Sequence, residues 1–121
     1  MNRILIAEDE VRLAAFLEKG LRKSGFTTAI AKDGQEALDM VKNSNFELLL
    51  LDLGLPVKDG LMVLEELRSQ NSKIPVLVVT AISDHKIRSS ALAKGAKEYI
   101  NKPFSFKDLL SKVRFHLDLQ D

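Results

Sequence analysis

Short apolar segments alternate with longer stretches of helical periodicity along this chain. The apolar segments are residues 4–7, 26–31, 48–51, 76–79 and 98–101. Three of them, 4–7, 48–51 and 76–79, are apolar almost without interruption, which is typical of strands buried on both faces of a parallel sheet. The pattern therefore predicts five short strands.

The intervening stretches carry helix start signals ahead of an apolar face. Asp33, with Glu36 three residues later, forms a capping pair before the second stretch, and Asp59 opens the third. Ser83 is the predicted cap of the fourth helix and Ser105 that of the fifth. Each strand is thus followed by a helix. This order predicts an α/β fold, with a parallel sheet between two helical layers and right-handed crossovers.

Composition narrows the class of protein without identifying it. The 121 residues are 45% apolar, enough for one domain with its own core, and we expect a single domain over residues 1–121. The chain has no Cys, so disulfides and cysteine-based zinc sites are excluded. A net charge of +1 is too small to attract nucleic acid by overall charge. No apolar run is long enough to span a bilayer. We expect a cytoplasmic protein without membrane association.

Polar residues that directly follow the predicted strands carry the candidate chemistry. Glu8 and Asp9 follow the first strand, Asp52 the third, Thr80 the fourth, and Lys102 the fifth. In an open parallel sheet, ligands bind outside the carboxyl ends of the strands. We therefore expect three carboxylates, a hydroxyl and an ammonium at one edge of the sheet.

This set of groups suits phosphoryl transfer to a carboxylate. Three neighbouring carboxylates need a cation, and ligands that are all oxygen atoms suit Mg²⁺. A carboxylate can attack phosphorus and form an acyl phosphate, while Mg²⁺, Lys102 and Thr80 neutralise charge. Each group alone also has an ordinary structural interpretation: Glu8 and Asp9 as the first turn of a helix, Asp52 as a turn residue, Thr80 as an ordinary strand-end residue, and Lys102 as a solvated lysine.

The sequence resembles the receiver domain of two-component response regulators over essentially its whole length. The matching segments are ILIAEDE at 4–10, LLLLDLGLPVKDG at 48–60, VLVVTA at 76–81 and GAKEYINKPF at 95–104. The second and last segments look most like the transcription-factor branch with a winged-helix output domain, the OmpR/PhoB type. The resemblance implies a flavodoxin-like (βα)5 three-layer sandwich with strand order 2-1-3-4-5.

The resemblance also implies roles for matching positions. Asp52 would be the phosphoacceptor, forming a 4-aspartylphosphate. Mg²⁺ would be bound by Asp9, Asp52 and the backbone carbonyl of Gly54, with Glu8 acting largely through a metal-bound water. Lys102 would pair with Asp52 and then with the phosphoryl group. Thr80 would move to the phosphoryl group and Tyr99 would rotate inward behind it, and the Lys102–Pro103 peptide is expected to be cis.

The implied function is a switch that responds to an external phosphodonor. A sensor histidine kinase would be the partner, because His85 and His116 look like surface residues rather than phosphodonors. The fourth helix has few apolar anchors, so we expect an output surface formed by the fourth helix, the fifth strand and the fifth helix, and a phosphorylation-dependent homodimer is one use for it. Control of transcription would require a DNA-binding output domain outside this chain.

Three rival functions are considered. A turnover phosphatase of the haloacid-dehalogenase type would need a second acid two residues after Asp52, where this chain has Gly54. A flavin-binding module would need a phosphate loop after the first strand, where three acidic residues stand instead. A receiver that binds partners without phosphorylation remains an alternative. We expect self-phosphorylation and self-dephosphorylation at Asp52, and not a turnover enzyme.

Overall fold

A computed structural model describes residues 2–119. Within that range, strands and helices alternate. The strands are β1 (Arg3–Ala7), β2 (Thr27–Ala31), β3 (Leu48–Leu51), β4 (Val76–Thr80) and β5 (Glu98–Asn101). The helices are α1 (Val11–Lys23), α2 (Gly34–Asn43), α3 (Gly60–Ser69), α4 (His85–Ala93) and α5 (Phe106–His116).

The strands form one parallel sheet with the order β2-β1-β3-β4-β5. This confirms the predicted flavodoxin-like α/β fold. The order reverses direction after β1, because the chain moves from β1 to the β2 edge and then returns through β3 to the other edge. In sheets of this type, the crevice at the reversal is where ligands bind.

Alternation along the central strands divides the core between the two faces of the sheet. In β3, Leu48 and Leu50 pack on one face with residues of α1 and α5, while Leu49 and Leu51 pack on the other with residues of α2, α3 and α4. The four leucines are at most 2% exposed. Burial on both faces explains why this strand is a continuous apolar run rather than an alternating one.

Side-chain caps begin four of the helices. Asp33, Asp59 and Ser105 each accept a hydrogen bond from the backbone N–H three residues later, as predicted. The prediction for α4 is wrong by one residue: Asp84, not Ser83, is the cap, and its carboxylate accepts from the N–H groups of Lys86 and Ile87. In residues 2–119 no helix is both long and apolar enough to cross a membrane.

Candidate functional site

Sheet-like backbone pairing continues one residue beyond three strands and fixes the first set of side chains. The N–H of Glu8 donates to the carbonyl of Ala31, and that of Asp52 donates to the carbonyl of Ala7, both at 3.0 Å. The N–H of Lys102 donates to the carbonyl of Thr80 at 2.9 Å. Because each group leaves the sheet at the same edge, residues far apart in the sequence meet there.

A buried ion-pair cluster forms at this edge. Lys102 Nζ donates to Glu8 Oε1 at 2.9 Å and to Asp52 Oδ2 at 3.2 Å. Glu8 is 3% exposed and Asp52 is 8% exposed. The single ammonium thus links two carboxylates that would otherwise repel each other in a poorly solvated place.

Burial and charge in this cluster shift the pKa values of Glu8 and Lys102. Burial raises the pKa of Glu8, and the charge of Asp52 adds to the rise, against the hydrogen bonds from Lys102 and from the Glu10 N–H. Burial by itself lowers the pKa of Lys102, but the hydrogen bond to Glu8 and the charges of Asp52 and Glu8 outweigh it and leave the pKa raised. The ammonium is therefore kept charged between its two acidic partners.

The acidic groups also fit a divalent cation. Glu8, Asp9 and Asp52 each offer a carboxylate oxygen, and these atoms lie within 4.8 Å of one another. Asp9 is exposed, so the group opens to solvent on one side. A donor set made only of oxygen, with room for water, suits Mg²⁺, whose binding typically retains several water ligands.

Backbone hydrogen bonds in the loop after β3 restrain Asp52. The N–H of Gly54 donates to Asp52 Oδ1 at 3.2 Å, and the N–H of Gly60 donates to the carbonyl of Leu53 at 3.0 Å. Gly60 allows a close approach of the two backbones, because a Cβ there would lie 2.5 Å from the Asp52 carbonyl oxygen. On the opposite side, the Lys102–Pro103 peptide is cis, as expected.

The loop after β4 is organised around Ile82. Thr80 is 1% exposed, and its hydroxyl oxygen accepts from the N–H of Ile82 at 3.3 Å. The carbonyl of Ile82 accepts from the hydroxyl of Tyr99 at 2.6 Å and from the side-chain amide of Asn101 at 3.0 Å. Burial, together with the charges of Asp84 and Asp52, raises the pKa of Tyr99 despite the opposing charge of Arg88, so the phenol keeps the proton that it donates.

The predicted residues thus form two connected groups. The structure brings together Glu8, Asp9, Asp52, Gly54 and Lys102, and it places Thr80 and Tyr99 on Ile82 in the adjoining loop. Sequence reasoning missed the direct contact between Lys102 and Glu8, which is the shorter of the two ion pairs. It also missed Asn101 and the close packing of Gly60. Nothing in the local sequence signals the Asn101 contact, since that contact depends on how a loop folds back.

His116 differs from its predicted surface position. Its side chain is 14% exposed, and its Nε2 atom lies 2.7 Å from Glu98 Oε2, which joins the end of α5 to β5. Its neighbour Phe115 is the exposed one, at 72%. His85 is exposed as predicted.

Comparison with known proteins agrees with this geometry. The family model "Response regulator receiver domain" matches residues 4–114. The transcriptional regulatory protein PrrA of Mycobacterium tuberculosis is 38% identical over 112 residues, which cover 93% of this chain and 48% of that protein. The response regulator ArlR of Staphylococcus aureus is 40% identical over 114 residues, covering 94% of this chain and 52% of that protein. The chain therefore spans about half the length of these relatives.

Solved structures show the same fold. The receiver domain of the Francisella response regulator 1452 superposes with a TM-score of 0.93 at 30% identity, over 98% of both chains. The response regulator TrrA of Thermotoga maritima, solved in complex with Mg²⁺–BeF, superposes with a TM-score of 0.87 at 33% identity, over 96% of this chain and 99% of that one. The name of PrrA agrees with the predicted transcription-factor branch. With strand order, family match and close relatives in agreement, this chain belongs to the receiver domain family of two-component response regulators.

Proposed function

We propose that this domain is a phosphoacceptor switch in which Asp52 takes a phosphoryl group from a histidine kinase. The observation that carries the proposal is the Asp52 carboxylate, nearly buried at the end of β3, with Lys102 Nζ 3.2 Å from one of its oxygens. Membership of the receiver family supports it. So does the similar TrrA protein, which was solved with Mg²⁺–BeF.

In the proposed reaction, an Asp52 oxygen forms a bond to phosphorus while the phosphorus–nitrogen bond of a phosphohistidine breaks. The departing imidazole nitrogen takes up a proton. Lys102 is charged and already contacts Asp52, so it can balance charge on the phosphoryl oxygens without moving far. The hydroxyl of Thr80 accepts from Ile82 N–H, which leaves its own proton for a phosphoryl oxygen.

Glu8, Asp9 and Asp52 would bind Mg²⁺ together with the backbone carbonyl of Gly54. When bound, the ion would neutralise charge on the transferring group and help to align it. Without the ion, Lys102 contacts two of the three carboxylates and offsets part of their mutual repulsion. The site thus has a reason to bind a cation even before phosphorylation.

We further propose that a sensor histidine kinase donates the phosphoryl group and that the response passes through α4, β5 and α5. In α4 the buried residue is Ala91, and Leu92 is 40% exposed, so this helix can move at low cost. A phosphorylation-dependent homodimer through this surface, and control of transcription through a DNA-binding domain outside this chain, belong to the same proposal.

Intact-mass analysis after incubation with acetyl phosphate and Mg²⁺ tests the proposal. We expect the wild-type protein to gain one phosphoryl group and Asp52→Asn to gain none, because an amide cannot act as the nucleophile. Asp39→Asn is the matched control, since Asp39 is an exposed acid on α2 that contacts Gln35. It should label like the wild type.

Equal labelling of Asp52→Asn and wild type would contradict the proposal, and so would the absence of any labelling. The second outcome would favour the alternative of a receiver that binds partners without phosphorylation. Release of many equivalents of phosphate per protein from simple phosphate esters would instead indicate a turnover phosphatase.

A further inference from the structure

We infer that Asn101 is a positioning residue of the switch: its side-chain amide holds the Ile82 carbonyl and so stabilises the resting positions from which Thr80 and Tyr99 respond to a phosphoryl group. The inference rests on the proposed function. Asn101 does not touch Asp52 in any described hydrogen bond; it acts through the loop that joins β4 to α4.

Ile82 is the point where the two predicted switch residues meet. Its N–H donates to the Thr80 hydroxyl oxygen at 3.3 Å, and its carbonyl accepts from Tyr99 at 2.6 Å. A shift of Ile82 therefore moves the partner of both residues at once. Any third contact to Ile82 therefore influences the positions of both Thr80 and Tyr99.

Asn101 supplies that third contact. Its Nδ2 atom lies 3.0 Å from the Ile82 carbonyl oxygen and, in a longer contact, 3.5 Å from the Thr80 carbonyl oxygen. A carbonyl only accepts hydrogen bonds, so it is the nitrogen of the side chain that faces it, and the two donors fill both lone pairs of that oxygen. Tyr99 and Asn101 are two residues apart on β5 and so project from the same face of the strand, which is why they reach the same atom.

Packing does not account for the position of Asn101. The residue is exposed at the end of an edge strand, where a polar side chain would be free to point into solvent. Tyr99, in contrast, packs against the core cluster beneath α4. Asn101 can therefore hold the Ile82 carbonyl independently of the Tyr99 ring, and it keeps an acceptor available where the Tyr99 hydroxyl binds.

Binding of beryllofluoride, a phosphoryl mimic, tests the inference when followed by NMR in the presence of Mg²⁺. We expect Asn101→Ala and the size-matched Asn101→Leu to lower the dissociation constant about fivefold, because the lost hydrogen bond belongs to the resting arrangement that Thr80 and Tyr99 must leave. Amide hydrogen exchange of residues 81–84 should become faster by a similar factor. Asn43→Ala, on an exposed asparagine at the end of α2, is the control and should change neither.

A purely structural residue would lower the urea midpoint without changing the affinity for beryllofluoride. The inference is overturned if wild type binds beryllofluoride and both Asn101 variants bind equally well or more weakly, or if exchange of residues 81–84 is unchanged. If wild type does not bind at all, the proposed function itself fails, and the inference fails with it. The wild-type titration separates these two results.

Discussion

The loops that follow β3 and β4 form two walls of the same site, yet they are built in opposite ways. The loop after β3 is anchored by its backbone: Gly34 N–H donates to the carbonyl of Pro56, and Gly60 N–H to that of Leu53. The loop after β4 is held mainly by side chains, and the contacts of Thr80, Tyr99 and Asn101 converge on Ile82. One wall is suited to hold Asp52, and the other to respond to it.

The helices after these loops repeat the contrast. α3 buries Val63, Leu64 and Leu67, whereas the buried residue of α4 is the small Ala91. Burial of large apolar side chains is the main source of local stability, so α4 should open more readily than α3. In the proposed function, the acceptor Asp52 thus lies beside the more stable helix and the response passes through the less stable one.

Truncation of one apolar side chain in each helix tests this contrast with the largest expected effect. Leu64 is fully buried, so Leu64→Ala should lower the free energy of unfolding by about 3 kcal/mol through lost contacts and a cavity. Ile87, partly exposed on α4, is the matched site, and Ile87→Ala should cost about 1 kcal/mol. Urea unfolding measures both. Equal losses would remove the distinction between the two helices.

The loop after β3, which we call the fixed wall, can also be tested at its closest backbone contact. Gly60→Ala would place a Cβ 2.5 Å from the Asp52 carbonyl oxygen and 2.6 Å from Leu53 Cα, so backbone must shift. We expect a loss of about 2 kcal/mol in the free energy of unfolding. Gly54→Ala is the control, because its Cβ would meet Asp52 Oδ1 at 3.9 Å, an ordinary contact. If Gly60→Ala unfolds at the same urea concentration as Gly54→Ala, the wall is not fixed as described.

The strand ends that carry the ion-pair cluster were well predicted because the signals for them are local in the sequence. A continuous apolar run such as residues 48–51 indicates a doubly buried strand, and the polar residue that follows it must emerge at the carboxyl end. Glu8 and Asp52 were found in this way, whereas Lys102 was found from its place after the fifth predicted strand, residues 98–101, which is not a continuous apolar run. Their meeting is confirmed by the ion-pair distances, while their roles in phosphoryl transfer stay predictions.

The loop after β4 was harder to predict because its contacts join residues that are far apart in the sequence. The Asn101 amide reaches a loop carbonyl 19 residues earlier in the chain, and no spacing rule signals that contact. For α4, Ser83 was the predicted cap, but the adjacent Asp84 is an equally good capping residue, so residue type does not decide between them. The backbone placed the Asp84 carboxylate over two N–H groups instead.

Val57 offers the smallest effect and tests whether the fixed wall stores strain. Its φ is 69°, and the N–H of Lys58 donates to the carbonyl of Pro56 at 2.8 Å across it, the pattern of a classic γ-turn. This conformation is unfavourable for a β-branched residue, and Val57 is 77% exposed, so no core packing offsets the cost. The strain persists because Pro56 is also held by Gly34 and Lys58 by Glu66, whose carboxylate oxygens lie 2.8 Å from the ammonium.

Val57→Gly should therefore stabilise the domain by about 0.5–1 kcal/mol, a gain from relieved strain of about 1–2 kcal/mol reduced by the greater freedom of glycine in the unfolded chain. Val57→Ala, which keeps a Cβ but loses the branch, should fall between wild type and Val57→Gly. The sign decides the matter in urea unfolding: a destabilised Val57→Gly would mean that the loop is not strained at this residue. A stabilised one would show that the loop behind Asp52 is rigid enough to hold an unfavourable backbone conformation.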